Sequence, residues 1–335
     1  EIDGEQLQAL CRLYTMTGEK KYLEWAERLA DYYLLPGDFV PTRLRDHGCE
    51  IIGGLGLLLG VESVHNPEKA EVYRPLMKEM FDTILERGIN EDGIMYDTLG
   101  NPDSRLSDGW GYDYVGFLCY DMTAGKPVYR ERIAQTLRNL AKPLYKDYRW
   151  EGDNIDGFAD SIEGAIYVLN RVPVEEGFAW VDREMAANVA YADQPLADGP
   201  LWGTMKLQSN GVRTTIMPAL IHTRGLVARP WQMGLQLGAV ETGEGLVVVM
   251  KSESDWSGQL VFDIPRHRLY IGFKRDWPRM NTLPEWFTVE PDQTPYTVHD
   301  LAADTHQTVT GAALHKGLPV KLSAGKPLKL RVTAK

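Results

Sequence analysis

Basic residues, cysteine and long apolar runs are all scarce in this chain, and each shortage closes a class of function. Lys and Arg number 36 against 47 Asp and Glu, a formal net charge of -11. Phosphate backbones are bound by clustered Lys and Arg, and no basic run interrupts the sequence, so nucleic acid is not an expected partner. An acidic surface still permits an anionic substrate, because a local Arg or Lys group reverses the potential inside one cleft. The three cysteines, Cys11, Cys49 and Cys119, lie in apolar helical patterns. That setting favours buried reduced thiols over a disulfide framework or a metal site. The longest apolar stretch, Ile51 to Val61, is interrupted by glycine and falls short of the ~20 residues of a membrane span.

Recognisable cofactor signals are missing as well. No His pair has helical ligand spacing, no Cys pair has finger spacing, and the aspartates between Glu151 and Asp160 lack the ligand order of a calcium loop. No glycine loop follows a strand in the manner of a nucleotide site. The expectation is no metal and no cofactor, with His267, His299, His306 and His315 at the surface of the C-terminal part.

What is present is ordinary globular composition, 44% apolar and 25% charged over 335 residues, long enough for two cores. Five segments begin with a small or polar loop and then run apolar at helical spacing, starting near Glu5, Gly48, Gly111, Phe158 and Asn210. Their spacing suits a repeated helical hairpin. First helices such as Glu50 to Gly60 and Tyr112 to Tyr120 are apolar nearly all round, whereas Tyr22 to Tyr33 and Tyr129 to Leu140 are amphipathic, as expected of buried inner and half-exposed outer helices. The turns share wording too: Tyr14-Thr-Met-Thr-Gly-Glu-Lys-Lys-Tyr22 resembles Tyr120-Asp-Met-Thr-Ala-Gly-Lys-Pro-Val-Tyr129.

Near Trp231 the period changes to short runs rich in Val, Leu and Thr between Gly, Asp and Pro turns. Strands are expected at Leu246 to Met250, Gln259 to Asp263, Leu269 to Phe273, Phe287 to Glu290, Tyr296 to Val298, Val320 to Leu322 and Leu328 to Val332. The fold class is thus α followed by β: a toroid of helical hairpins over 1–228, then an antiparallel β-sandwich over 229–335.

In a ring of hairpins the loops that start the inner helices converge on one rim, a natural pocket. Four such loops carry the polar residues: Arg43 to Glu50, Ser107 to Tyr114, Asp153 to Glu163 and Trp202 to Arg213. Helix capping accounts equally well for Asp46, Asp108 and Asp160, with Glu163 placed as in a capping box. Against capping alone stand their neighbours, since Trp110, Tyr112, Tyr114 and Trp202 supply faces for sugar rings while Lys206, Asn210 and Arg213 supply donors. Glycoside hydrolysis needs two carboxyl groups, one kept protonated and one ionised. Asp108, Asp113, Asp160 and Glu163 are the candidates. His47, beside Asp46, opens a second mechanism, elimination next to a uronate, with His47 or Tyr112 as base and Asn210 or Arg213 neutralising the carboxylate.

Arg87-Gly-Ile-Asn-Glu-Asp-Gly-Ile-Met-Tyr-Asp97, Ser107-Asp-Gly-Trp-Gly-Tyr-Asp113, Asp156-Gly-Phe-Ala-Asp-Ser-Ile-Glu-Gly164 and the β-rich tail from Pro284 give the sequence a resemblance to (α/α)6-toroid carbohydrate-active enzymes. That group includes unsaturated glucuronyl hydrolases, related glucuronidases and several polysaccharide lyases. The resemblance implies an oligo- or polysaccharide substrate and a complete ring of six hairpins. Fewer helices are visible here, so the expectation is either an incomplete ring or an N-terminal part, a signal peptide or larger segment, that has been removed, with a periplasmic or secreted location favoured over a cytoplasmic one. Three functions follow: a glycoside hydrolase on an acidic, uronic-acid-containing glycan; a polysaccharide lyase; or a glycan-binding scaffold without catalysis.

Overall fold

The computed structural model describes residues 2–146, 148–150, 155–192, 212–279 and 282–334. The chain forms two compact units, one of Glu1–Met217 with Tyr270–Pro284 and the other of Pro218–Leu269 with Glu285–Lys335.

Among the described residues, the first unit holds four helical hairpins: α1 (Ile2–Thr17) with α2 (Lys20–Leu34), α3 (His47–His65) with α4 (Pro67–Arg87), α5 (Trp110–Thr123) with α6 (Arg130–Asn139), and α7 (Ile155–Leu169) with α8 (Glu175–Ala192). The odd-numbered helices pack on one another in chain order, α1 on α3, α3 on α5 and α5 on α7, and form the buried row. Their small residues allow the approach. Ideal Cβ atoms built on Gly56 and Gly54 would stand only 2.7 Å from the Gly116 Cα and the Gly4 carbonyl oxygen. These pairings join N-terminal halves to N-terminal halves, so the inner helices run in parallel and their starts share one end.

Within α3, the window Gly48–His65 is long and apolar enough to cross a membrane by composition alone, yet 72% of it is buried inside the protein, as befits the central helix of the row. The shorter run read from the sequence stopped at Glu62. That carboxyl is itself fully buried.

The opposite end of the row is crossed by Tyr270–Pro284, which belongs to the helical unit although it lies among the strands in sequence. A Cβ on Gly272 would overlap the Thr15 carbonyl of α1, and the Trp277 ring lies against Gly60 of α3. Cys119 of α5 donates from Sγ to the Pro278 carbonyl at 3.2 Å, and the Thr282 N–H donates to the Tyr167 hydroxyl of α7 at 2.8 Å. Arg171 holds Asp276 by two hydrogen bonds of 2.6 Å. The strap thus touches the C-terminal ends of all four inner helices. The sequence expectation of a strand at Leu269 to Phe273 fails here: His267–Ile271 is a π-helical turn, and Phe273 and Trp277 bury as a ring pair 5.5 Å apart instead of pairing in a ladder.

The fifth expected hairpin is represented by α9 (Val212–Thr223), within which the two units divide. Beyond it come β1 (Val227–Arg229), β2 (Leu235–Thr242), β3 (Gly245–Ser252), β4 (Trp256–Val261), β5 (Pro295–Asp300), β6 (Thr305–Thr310), α10 (Gly311–Lys316), β7 (Leu318–Leu322) and β8 (Leu328–Ala334). They make two antiparallel sheets, β1-β4-β7 and β2-β3-β8-β5-β6. Trp256, Leu260, Val320 and Leu322 from the first and Leu246, Val248, Met250, Val298 and Val332 from the second enter one buried cluster. Alternation along β3, buried at 246, 248, 250 and 252, puts every second side chain into that cluster. Phe287 to Glu290 makes only a single bridge, Asp263 to Thr288. His267 is buried against Glu285, with Nδ1 3.2 Å from the carboxylate, rather than lying at the surface.

Candidate functional site

The shared end of the inner row gathers the acids. The α3 start is unusual, because Asp46 sits at φ 45° and ψ -137°, a conformation that costs a non-glycine residue about 1–3 kcal/mol. Its carboxylate caps no helix N–H; it is bound by the Arg43 guanidinium and lies 3.5 Å from Arg45. Arg45 also reaches Asp97 at 3.4 Å, and Arg105 approaches the same carboxylate at 3.7 Å. Isolated bridges, Arg43 to Thr98 and Tyr96 to Leu106, bring these segments side by side. Three guanidinium groups therefore surround two carboxylates at the start of α3.

The starts of α5 and α7 supply the buried acids. Ser107 is tied down from both sides, its hydroxyl donating to the Leu44 carbonyl at 2.6 Å and accepting the Gly109 N–H at 3.0 Å. The helix cap is Gly109, not Asp108, and α7 begins at Ile155, so Asp160 and Glu163 stand inside the helix. The capping reading of these acids does not hold. Asp108 is 4% exposed, Asp113 and Glu163 are fully buried, and Asp160 is half-buried.

Among the described residues, neither oxygen of Asp113 has a hydrogen-bond partner. Burial pushes its pKa well above the carboxylate range, and the charge of Asp108 adds to the shift. The positive end of α5 works in the other direction, but a helix terminus contributes at most ~2 kcal/mol against several for desolvating a carboxylate. Desolvation therefore outweighs the helix end and favours the protonated form of Asp113. Cys49 records the same crowd: its thiol is pushed up first by burial, then by Asp113, Glu50, Asp108 and Asp160. It is an inert core thiol by that measure.

Two tyrosines organise the α7 carboxyls. Tyr112, 6% exposed, donates its hydroxyl to Asp160 Oδ1 at 3.3 Å, and Tyr167 donates to Glu163 Oε1 at 2.8 Å. Tyr148, whose hydroxyl accepts the Leu106 N–H at 2.9 Å, feels Asp97, Arg105 and Asp108.

No known family matches the sequence, and no curated protein matches it. The fold is similar to the crystal structure of a GH127 β-L-arabinofuranosidase from Geobacillus stearothermophilus T6, with a TM-score of 0.31 and 10% identity. That alignment covers 98% of this chain and 53% of the other, so the chain spans about half the length of the enzyme.

Of the residues singled out in the sequence, Asp46, Asp108, Asp113, Tyr112 and Asp160 come to one end of the helix row, whereas Glu163 turns to Tyr167, whose hydroxyl also meets Thr282 of the strap. Trp110 and Tyr114 do not serve as platforms. Both are fully buried because their rings pack into an aromatic cluster, Trp110 on Tyr114 and Trp180 with ring centroids 6.4 and 6.1 Å away. Trp202, Lys206 and Asn210 lie outside the described residues, as do the side chains of His47 and Arg213. Sequence reasoning gave no role to Arg45, Asp97 or Arg105; Arg45 stands more than fifty residues before the other two and meets them through the pairing of residues 42–44 with 97–99. A 610 Å³ groove between α1 and α2, lined by Leu10, Trp25, Arg28 and Tyr32 among others, has no carboxyl among the described residues that line it.

Proposed function

We propose that the chain is a glycoside hydrolase acting on an acidic, uronic-acid-containing oligo- or polysaccharide. The observation that carries this reading is Asp113, a carboxyl kept protonated by burial beside the less enclosed Asp108 and Asp160. Glycosidic cleavage requires that division of labour, one acid to protonate the leaving oxygen and one carboxylate to activate water or stabilise the developing positive charge. Asp113 is the proton donor in this scheme. Asp160, half-buried and positioned by the Tyr112 hydroxyl, is the ionised partner, with Asp108 holding the proton on Asp113 by its charge.

Support for an acidic sugar comes from Arg43, Arg45 and Arg105, whose guanidinium groups stand on the acid-bearing end of the row and suit bidentate binding of a uronate. Arg213, Lys206, Asn210 and Trp202 complete the proposed sugar site. The reading takes the helix row as part of an α/α toroid, the two sheets as an appended β-sandwich, and a periplasmic or secreted location as the place where such glycans are met.

The test is release of reducing ends from a panel of uronate-containing oligosaccharides by the wild type and by Asp113→Asn, Asp108→Asn, Asp160→Asn and Glu163→Gln. Loss of about 10²–10⁴-fold in turnover is expected for the acid and base positions, with folding retained. Undiminished turnover in all four variants overturns the reading. So does a near-ultraviolet-absorbing unsaturated product, which marks elimination instead.

A further inference from the structure

The outer face of the five-stranded sheet carries a row of nitrogen donors that helical spacing could not reveal. His299 on β5 pairs directly with His306 on β6 and with Arg331 on β8. Cross-strand partners project from the same face, so their side chains are neighbours. The imidazole rings are stacked, 3.8 Å between centroids and 21° between planes. The four-residue turn then returns Asp304, at φ 51°, to the same end, with Oδ1 2.9 Å from His299 Nε2. One donor atom from each of His299, Asp304 and His306 lies within 4.8 Å of the others.

We infer that this hairpin binds one divalent transition ion of the Zn²⁺ kind, through both imidazoles and the Asp304 carboxylate. Two nitrogens and one oxygen suit Zn²⁺, Ni²⁺ or Cu²⁺, whereas a single carboxylate is poor provision for Ca²⁺ or Mg²⁺. Bonds of about 2.1 Å in a tetrahedron set donors about 3.4 Å apart, so the His299–Asp304 pair, now 2.9 Å apart, opens slightly while His306, within 4.8 Å of both, draws in. They are free to do so: the Asp304 side chain is 87% exposed and His306 is exposed. The hydrogen bond between His299 and Asp304 gives way to the ion without leaving either group unsatisfied. Arg331 opposes a cation in this row, but Glu244 engages its guanidinium at 2.8 Å. The fourth position is left to water or an outside ligand.

The experiment uses the untagged full chain, stripped with chelator and titrated with zinc chloride by calorimetry, with metal counted after equilibrium dialysis. One equivalent is expected, lost in His306→Ala and weakened by about tenfold or more in His299→Ala and Asp304→Asn. His315→Ala, which removes a ring bonded to the Phe262 carbonyl, leaves the site intact. Zinc also raises the Tm of the wild type and not of His306→Ala, since an ion that binds only the folded hairpin stabilises it. Titration curves for His306→Ala and His299→Ala equal to that of the wild type overturn the inference, as does a wild type that takes up no zinc. Neither readout depends on glycan turnover.

Discussion

Gly111 of α5 and Gly164 of α7 meet backbone to backbone, so closely that a Cβ built on Gly164 would stand 3.0 Å from the Gly111 Cα. Asp113 is two residues from this crossing and Glu163 one, so the contact that packs the helices also places the acids.

Gly111→Ala is expected to destabilise by about 3 kcal/mol, because the added methyl meets Gly164 main chain that no rotamer change can move. Gly238→Ala in β2, with open space around it, is the control and should stay within about 0.5 kcal/mol. Chemical denaturation of both variants checks the difference; equal small effects would mean the helices can part cheaply.

Glu62 governs a pH dependence of its own. Burial first, and Glu27 second, raise its pKa from 4.5 to about 8, with Asp31 adding and Lys69 opposing. A raised folded pKa means a proton is taken up on folding. The associated stability is complete below about pH 4.5 and drains as pH climbs through about 8. Between pH 5 and pH 8.5 the wild type should lose up to ~3 kcal/mol more than Glu62→Gln, which stays neutral throughout. Urea unfolding at the two pH values measures this, and parallel losses in both proteins would count against it.

Tyr167→Phe removes a hydroxyl that donates to Glu163 at 2.8 Å and accepts the Thr282 N–H at 2.8 Å. It should cost about 2 kcal/mol. Amide exchange at Thr282 should quicken in the variant while exchange in the sheet unit is unchanged.

Asp121, in the last turn of α5, accepts the N–H groups of Val128, Tyr129 and Arg130 at 2.8–3.1 Å and so caps α6 from outside it. Asp121→Ala leaves these three donors unmet, at an expected cost of about 2 kcal/mol read from thermal melts. The same turn in the first hairpin has Thr15 at the corresponding place, where the hydroxyl donates instead to the Arg12 carbonyl at 3.0 Å. The similar wording of the two turns therefore hides two different capping schemes.

Hairpin starts were legible because apolar character all round a helix and apolar character on one face mark different depths. Gly48 and Gly111 lie in the first turn of α3 and of α5. The strands at Leu246 to Met250 and Leu328 to Val332 were legible by alternation, whereas β6, Thr-His-Gln-Thr-Val-Thr, escaped notice because it buries nothing fully. At the site, acid positions could be read, but their states could not. Whether Asp113 is a cap or a proton donor depends on enclosure by α3 and α7, which no local pattern records. Trp110 and Tyr114 misled for the same reason: an aromatic at a helix start reads alike whether it faces a sugar or another tryptophan.

The strap has a consequence for inheritance and for cutting the protein. The chain passes between its units three times, at 217/218, 269/270 and 284/285. Neither unit is a contiguous stretch of sequence, so neither can be excised, shuffled or duplicated by a single break. A fragment ending at residue 228 lacks the strap and exposes the ends of α1, α3 and α5 on which Gly272, Trp277 and Pro278 pack. The helical half must therefore wait for residues made after the first four strands of the other half, β1 to β4, before its fold can be completed on the ribosome.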